Sequence, residues 1–175
     1  MIQLISETTL KKRTVVNENV NAKYINPSIE TAQEMGLQPL IGTVLYKKLC
    51  ELVTPVGNPT TMSINDPANA AYKILLDDYI TPYLCNKTLA DLQVALFAKV
   101  RNEGIVTSQD QQTQQLSKGE VDFIKEHYDN RAIFYGNRLI DYLHANSNRY
   151  PEWLKRETVA DMPSNPKAFN AHIVL

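Results

Sequence analysis

The chain has 175 residues, 43% of them hydrophobic, and its 18 basic and 19 acidic side chains leave a formal charge of -1. That length supports one domain, or one domain with an arm, burying roughly two thirds of its unfolded surface without metal or disulfide staples. The balanced charge excludes generic attraction to nucleic acid, and no apolar run approaches the ~18 residues of a membrane span.

Asn26-Pro27 predicts a helix start, with Ile25, Ile29 and Ala32 on its apolar side and Gly36 as its stop. Pro39 opens a second helix, in which Leu40, Ile41, Val44, Leu45, Leu49, Leu52 and Val53 recur at helical spacing up to Pro55. A stretch rich in Gly, Pro, Asn and Thr, from Thr54 to Asn65, has no periodicity. Asp66-Pro67 repeats the cap-plus-proline signal, and a long helix is expected from Ala68 to Val100, kinked near Thr81 by Pro82.

Gly104 ends that helix, and Ile105-Val106-Thr107 is expected to pair with Gln114-Gln115-Leu116 as a short hairpin around a glutamine-rich tip. Ser117-Lys118-Gly119-Glu120 is a capping-box pattern. Its helix carries Val121, Ile124, Tyr128, Ala132, Tyr135, Leu139, Tyr142 and Leu143 on one face, while Phe123, Ile133, Phe134 and Ile140 lie off that stripe and predict cover on a second side, as a central core helix or, alternatively, through an oligomer contact. Gly136 interrupts the pattern and implies close approach by another helix. Met162-Pro163-Ser164-Asn165-Pro166 reads as extended chain, and Phe169, His172, Ile173, Val174 and Leu175 as an apolar end that docks on its own domain or on a neighbour.

The fold class expected is therefore all-α, a small helical bundle with long central helices, a polar hairpin-like tip and an extended C-terminal arm. The helical domain would span 1–154 with its tip at 105–116, and the arm 155–175.

Chemistry-bearing patterns are sparse. His127, His144 and His172 have no companion at metal-site spacing, and the glycines make no phosphate loop. Cys50 and Cys85 read as buried reduced thiols, and Met1 to Glu7 lacks a leader pattern, so a soluble intracellular protein is expected. The acidic clusters, Asp77-Asp78 and Glu120, Asp122, Glu126, give no reason to expect two acids converging in a cleft. No catalytic residue, metal ligand or cofactor is assigned. Five glutamines within Thr107 to Leu116 offer amides that a partner could cover, and Lys11-Lys12-Arg13 forms the only basic run.

The residues Ile29-x-x-Ala32-Gln33, Pro39-Leu40-Ile41-Gly42, Asn102-Glu103-Gly104-Ile105-Val106 and Tyr135-Gly136-Asn137-Arg138-Leu139-x-x-Tyr142-Leu143 carry a resemblance. Across most of residues 2 to 154 the chain resembles the head-to-tail adaptor proteins of tailed bacteriophages, in particular the connector-ring component of gut Bacteroidales (crAss-like and related) phages. The resemblance implies a structural, non-enzymatic subunit of a twelve-membered ring below the portal, located in the virion and, during assembly, in the host cytoplasm. Its implied partners are copies of itself, the portal protein, the next tail or ring protein and genomic DNA passing without sequence specificity, with no membrane. Assembly contacts are then expected at Gln109, Gln111, Gln112, Gln114, Gln115, Phe169, Ile173, Val174 and Leu175, with Lys11, Lys12 and Arg13 as candidate channel- or DNA-facing residues. The competing expectation is a small helical regulatory or DNA-binding protein acting as a low-order oligomer.

Overall fold

In the computed structural model, residues 2–53, 63–101, 104–107, 117–153 and 162–164 are described. They form an all-α bundle with one short antiparallel ribbon. Helix α1 is Glu7–Arg13, started by Ser6, whose Oγ accepts from the Thr9 N–H at 3.1 Å.

Helix α2, Ala22–Thr31, begins earlier than the sequence pattern implies. Its cap is Asn21, whose Oδ1 accepts from the Lys23 N–H at 2.9 Å, and Pro27 lies inside the helix. Pro27 is exposed, so the carbonyl it leaves without a donor sits where water can reach it. Gly36 does not stop this helix either. The chain passes through a widened π turn, Ala32–Leu37, straight into α3, Gln38–Ile41.

A second widened turn, Leu75–Ile80, joins α5, Ala70–Ile74, to α6, Thr81–Phe97. The two π turns share one physical cause. Each ends one residue before the one preceding a proline, Pro39 or Pro82, whose ring would collide with the carbonyl four residues back in an ordinary helix. The extra residue moves that carbonyl aside. At the first turn the Gln38 N–H reaches back to Gln33 O, and at the second the Thr81 N–H bonds Leu76 O, joined there by the Thr81 hydroxyl at 2.7 Å. The expected kink at Pro82 is thus a change of helical pitch just upstream of it. Gly36 has a different role from the expected stop: a Cβ there would lie 2.6 Å from the Tyr83 phenol oxygen, so its absence lets α6 approach.

The real break falls at Gly42, with φ 78° and ψ 155°, after which α4 runs Thr43–Val53. Against this corner lie residues 162–164. The Thr43 N–H donates to Met162 O at 2.9 Å, and the Met162 N–H to Thr43 Oγ1 at 3.1 Å. Within the expected arm, Met162 is therefore fastened to its own bundle. Asp66 has the extended backbone of a cap but makes no side-chain cap bond, and a 3-10 turn, Pro67–Asn69, precedes α5.

Helix α6 ends at Phe97, short of the expected Val100, and the chain enters β1, Ala98–Arg101. This strand pairs with β2, Gly104–Thr107, with Ala98 opposite Thr107 and Arg101 opposite Gly104. Among the described residues the partner of Ile105-Val106-Thr107 is β1; Gln114-Gln115-Leu116, the expected partner, lie outside the described residues. Only two residues separate β1 from β2 in sequence, the shortest spacing at which two antiparallel strands commonly pair.

Ser117 closes the expected capping box: its Oγ accepts from the Glu120 N–H at 3.4 Å, and Glu120 Oε2 accepts from the Ser117 N–H at 2.7 Å. Helix α7, Lys118–Ala145, then runs 28 residues, about 42 Å. Its packing against α6 is the main seam of the bundle. Leu139 and Leu143 meet Leu75, Ile80, Leu84, Leu37 and Ile29 in one apolar core. Phe123 and Phe134, expected to be covered on a second side, are instead 72% and 65% exposed.

Much of the tyrosine content is internal. Tyr79 stacks on Tyr142 with centroids 3.9 Å apart, Tyr72 meets Tyr150 edge-on at 5.5 Å, and the Tyr150 hydroxyl donates to Ala71 O at 2.9 Å. These rings tie the end of α7 to α5 and to the turn between it and α6.

Candidate interaction site

Lys11-Lys12-Arg13, a single basic run in the sequence, does three separate things. Lys11 Nζ lies 2.6 Å from Glu7 Oε1 and donates to Glu18 O at 2.8 Å. Lys12 is exposed to water. Arg13 turns toward the bundle, where its Nη1 donates to the Asp77 carbonyl oxygen at 3.3 Å. One helical turn spreads consecutive side chains around the axis, so a tripeptide of cations does not make a patch.

Arg13 stands instead at the rim of a cleft of about 480 Å³. Three elements build it. The end of α1 contributes Arg13, Thr14 and Val15, with Thr14 turned inward by the bond from its hydroxyl to Leu10 O at 2.7 Å. Helix α6 contributes Pro82, Cys85, Asn86 and Leu89, which share one face at helical spacing. Helix α7 contributes Tyr128, Arg131 and Tyr135, again one face. The Arg131 guanidinium lies 6.0 Å from the centroid of the Tyr128 ring.

Burial pushes the Cys85 thiol up to about 11, against the opposing pull of the Arg13 charge. At neutral pH it is a thiol packed in the floor, not a thiolate nucleophile. The cleft thus carries cations, phenols and an amide over an apolar base, a chemistry of recognition. Among the described residues no group of three or more His, Cys, Asp and Glu side chains is placed to hold a metal.

Two acids do converge elsewhere, a juxtaposition that residue spacing does not announce. Asp91 on α6 and Asp129 on α7 share Lys87, whose Nζ lies 3.8 Å from Asp91 Oδ1 and 2.8 Å from Asp129 Oδ1. Lys125 Nζ adds a contact of 2.7 Å to Asp129 Oδ2. Burial acts to raise Asp129, but the hydrogen bonds and charges of Lys125 and Lys87 outweigh it and hold the carboxyl below its usual range. Burial raises Asp91, the Asp129 charge adds to it, and Lys87 offsets only part; Asp91 Oδ2 has no hydrogen-bond partner. Two lysines against two carboxylates make this a clamp across the seam.

The clamp has a pH signature. Because the folded value of Asp129 lies below that of the unfolded chain, about 3.9, its stabilisation is present above that pH and lost as pH falls through the folded value. Asp91 has the opposite sign: its contribution is present below the unfolded value and lost as pH rises through the folded one. Asp129→Asn is therefore expected to destabilise at pH 7 by about 1–2 kcal/mol, leaving Lys87 without its close partner, while Asp91→Asn changes little or stabilises slightly. Urea unfolding at pH 7 and pH 3 checks this: the gap between wild type and Asp129→Asn should narrow at the lower pH, and an unchanged gap contradicts the assignment.

A family model matches residues 37–162, most of the chain. The chain belongs to a family of unknown function, DUF6712. No curated protein and no solved structure matches it. The DUF6712 match spans the Gly42 corner and the α6 and α7 faces of the cleft, whereas Arg13, Thr14 and Val15 lie outside it. One rim of the cleft is thus supplied by sequence beyond the family segment.

Of the residues expected at assembly contacts, Gln109, Gln111, Gln112, Gln114, Gln115, Phe169, Ile173, Val174 and Leu175 lie outside the described residues. The cleft residues of α6 and α7 do not stand out in the sequence as a site. Tyr128 and Tyr135 fall on the core stripe there, and Arg131 beside them is a lone cation. The available signal is Arg131 flanked at helical spacing by His127, Tyr128, Phe134 and Tyr135, a guanidinium among rings with no acid in reach along its own helix.

Proposed function

We propose that this chain is a structural subunit of a phage head-to-tail connector, forming a ring below the portal that extends the DNA channel and joins portal to tail components. The observation that carries the reading is the outer face of α7. Phe123 and Phe134 are 72% and 65% exposed there, and their spacing places them on one side of the helix, three turns apart. Isolated exposed aliphatics are ordinary, but two large rings repeated along one face of a rigid helix support a partner surface. The resemblance to adaptor proteins supplies the identity of that partner, a second copy of this chain in the ring. In this reading its role is structural and non-enzymatic, without a cofactor. Its other partners in this reading are the portal protein, the next tail or ring protein, and DNA passing without sequence preference.

The test is electron microscopy and mass measurement of the purified chain mixed with its portal protein. Twelve-fold rings are expected, and the double change Phe123→Ser with Phe134→Ser should reduce ring yield on the order of tenfold while leaving helicity intact, since both rings are outside the core. A chain that stays monomeric beside portal, or a double variant that assembles like wild type, refutes the reading.

A further inference from the structure

We infer that the cleft between the end of α1 and the facing surfaces of α6 and α7 receives an acidic peptide segment of another protein, one with a carboxylate next to an apolar side chain. The inference does not depend on ring formation. Its basis is that two arginines from distant parts of the sequence, Arg13 and Arg131, both line the cleft, whose lining also includes the apolar side chains Pro82 and Leu89.

Some helix cations are neutralised locally, while others, such as Lys12, Lys23 and Arg138, have no carboxylate in contact among the described residues. Lys11, Lys73, Lys87 and Lys125 each have a carboxylate at 3.8 Å or closer. Neither cleft arginine has a carboxylate in contact among the described residues. Nor does the sequence supply one by helical spacing: Arg13 has Thr9 and Leu10 a turn before it, and Arg131 has His127, Tyr128, Phe134 and Tyr135. The contact of Arg13 with the Asp77 carbonyl oxygen uses one donor of a five-donor fork. The Asp77 carboxylate itself faces Lys73 at 3.8 Å.

A planar guanidinium is the donor that matches a carboxylate in bidentate fashion, and two arginines from separate elements line this one cleft. The volume, about 480 Å³, falls within the roughly 300–1,000 Å³ range of sites that enclose a ligand. Nucleic acid fits the site less well. A duplex presents a convex backbone with many phosphates and favours a broad basic surface, whereas here two cations flank a concavity floored by Pro82, Cys85 and Leu89. That floor has use for an aliphatic or aromatic side chain, which a peptide brings beside its acid.

The experiment is titration of the full chain with a fluorescein-labelled peptide, acetyl-Gly-Leu-Asp-Glu-Leu-Gly-amide, in parallel with its Asn-Gln counterpart and a labelled duplex of about 20 base pairs, long enough to present two turns of backbone. Binding of the acidic peptide is expected, at least tenfold tighter than that of its amide counterpart. Arg131→Gln should weaken it roughly tenfold or more. Val15→Glu, placed at an 81% exposed rim position where folding is not at stake, should weaken it similarly by setting a competing acid in the cleft. Lys23→Gln, which removes one exposed charge outside the cleft, should bind like wild type. Equal binding of the acidic and amide peptides, no binding of either at millimolar concentration, wild-type affinity in both cleft variants, or preferential binding of the duplex lost in Arg131→Gln would each overturn the inference.

Discussion

Replacing Gly42 with alanine is expected to lower the unfolding free energy by roughly 3 kcal/mol, a large part of what a small domain has to spare. Two effects act together. At φ 78° and ψ 155° the backbone sits in a region that side chains with a Cβ rarely enter, a strain of about 1–3 kcal/mol. The added Cβ would also lie 2.8 Å from the Ser164 backbone nitrogen, and a main-chain atom cannot rotate away as a side chain does. Relief requires either unwinding the α3–α4 corner or lifting residues 162–164, with loss of the two hydrogen bonds between Thr43 and Met162. Denaturant midpoints of the two proteins, with the slope compared, are the measurement; a loss under about 1 kcal/mol would mean that the corner is not held as described.

The second large effect is expected at Gln33, which is 0% exposed. Its side chain serves the N-terminal segment as a neighbouring strand would. Oε1 accepts from the Leu4 N–H at 2.6 Å, and Nε2 donates to Ile2 O at 3.2 Å and to the Tyr46 hydroxyl at 3.2 Å. Leu4 and Ile5 are thereby laid into the core ahead of α1. Gln33→Leu keeps the approximate volume and removes both amide functions, so the buried Leu4 N–H loses its acceptor. The expected cost is about 2–3 kcal/mol, because an orphaned buried donor forfeits its solvation in full. Hydrogen exchange at Leu4 should accelerate more than exchange in α7. Uniform acceleration across the bundle, or none, would speak against a local latch.

Gln33 also shows where sequence reading reaches and where it stops. The periodicity around it, Ile25, Ile29 and Ala32, identifies the buried face of α2 correctly, and all three are 0% exposed. Nothing in the pattern says that a polar residue one position on is buried with them, since that depends on backbone groups some thirty positions earlier. The helix caps divide in the same way. Ser117 and Glu120 satisfy each other locally, so their spacing is sufficient evidence for the start of α7. Asn26-Pro27 offers an equally good local signal, yet Asn21 holds the cap and the helix runs through the proline.

The prolines at 39 and 82 are legible as disturbances but not as what they become. A proline forbids an ordinary turn before it, and either a break or a widened turn satisfies that. Packing chose the second, keeping Leu37, Leu40 and Ile41 around one proline and Leu76, Ile80 and Leu84 around the other in the same core. The ribbon between α6 and α7 is legible at β2 but not at β1, whose residues up to Val100 continue the helical spacing of α6 in the sequence. The cleft is the least legible feature. Its arginines are separated by most of the chain, and each alone is an ordinary surface cation.

The fastening of Ser164 against Gly42 sets a leash on the residues beyond it in sequence. Phe169 lies five positions past Ser164 and Leu175 eleven. At ~3.3–3.6 Å per residue of fully extended chain, Phe169 reaches no farther than about 18 Å, and Leu175 no farther than about 40 Å, from the α3–α4 corner. Any neighbour that these residues bridge to must therefore bring its receiving surface inside that radius.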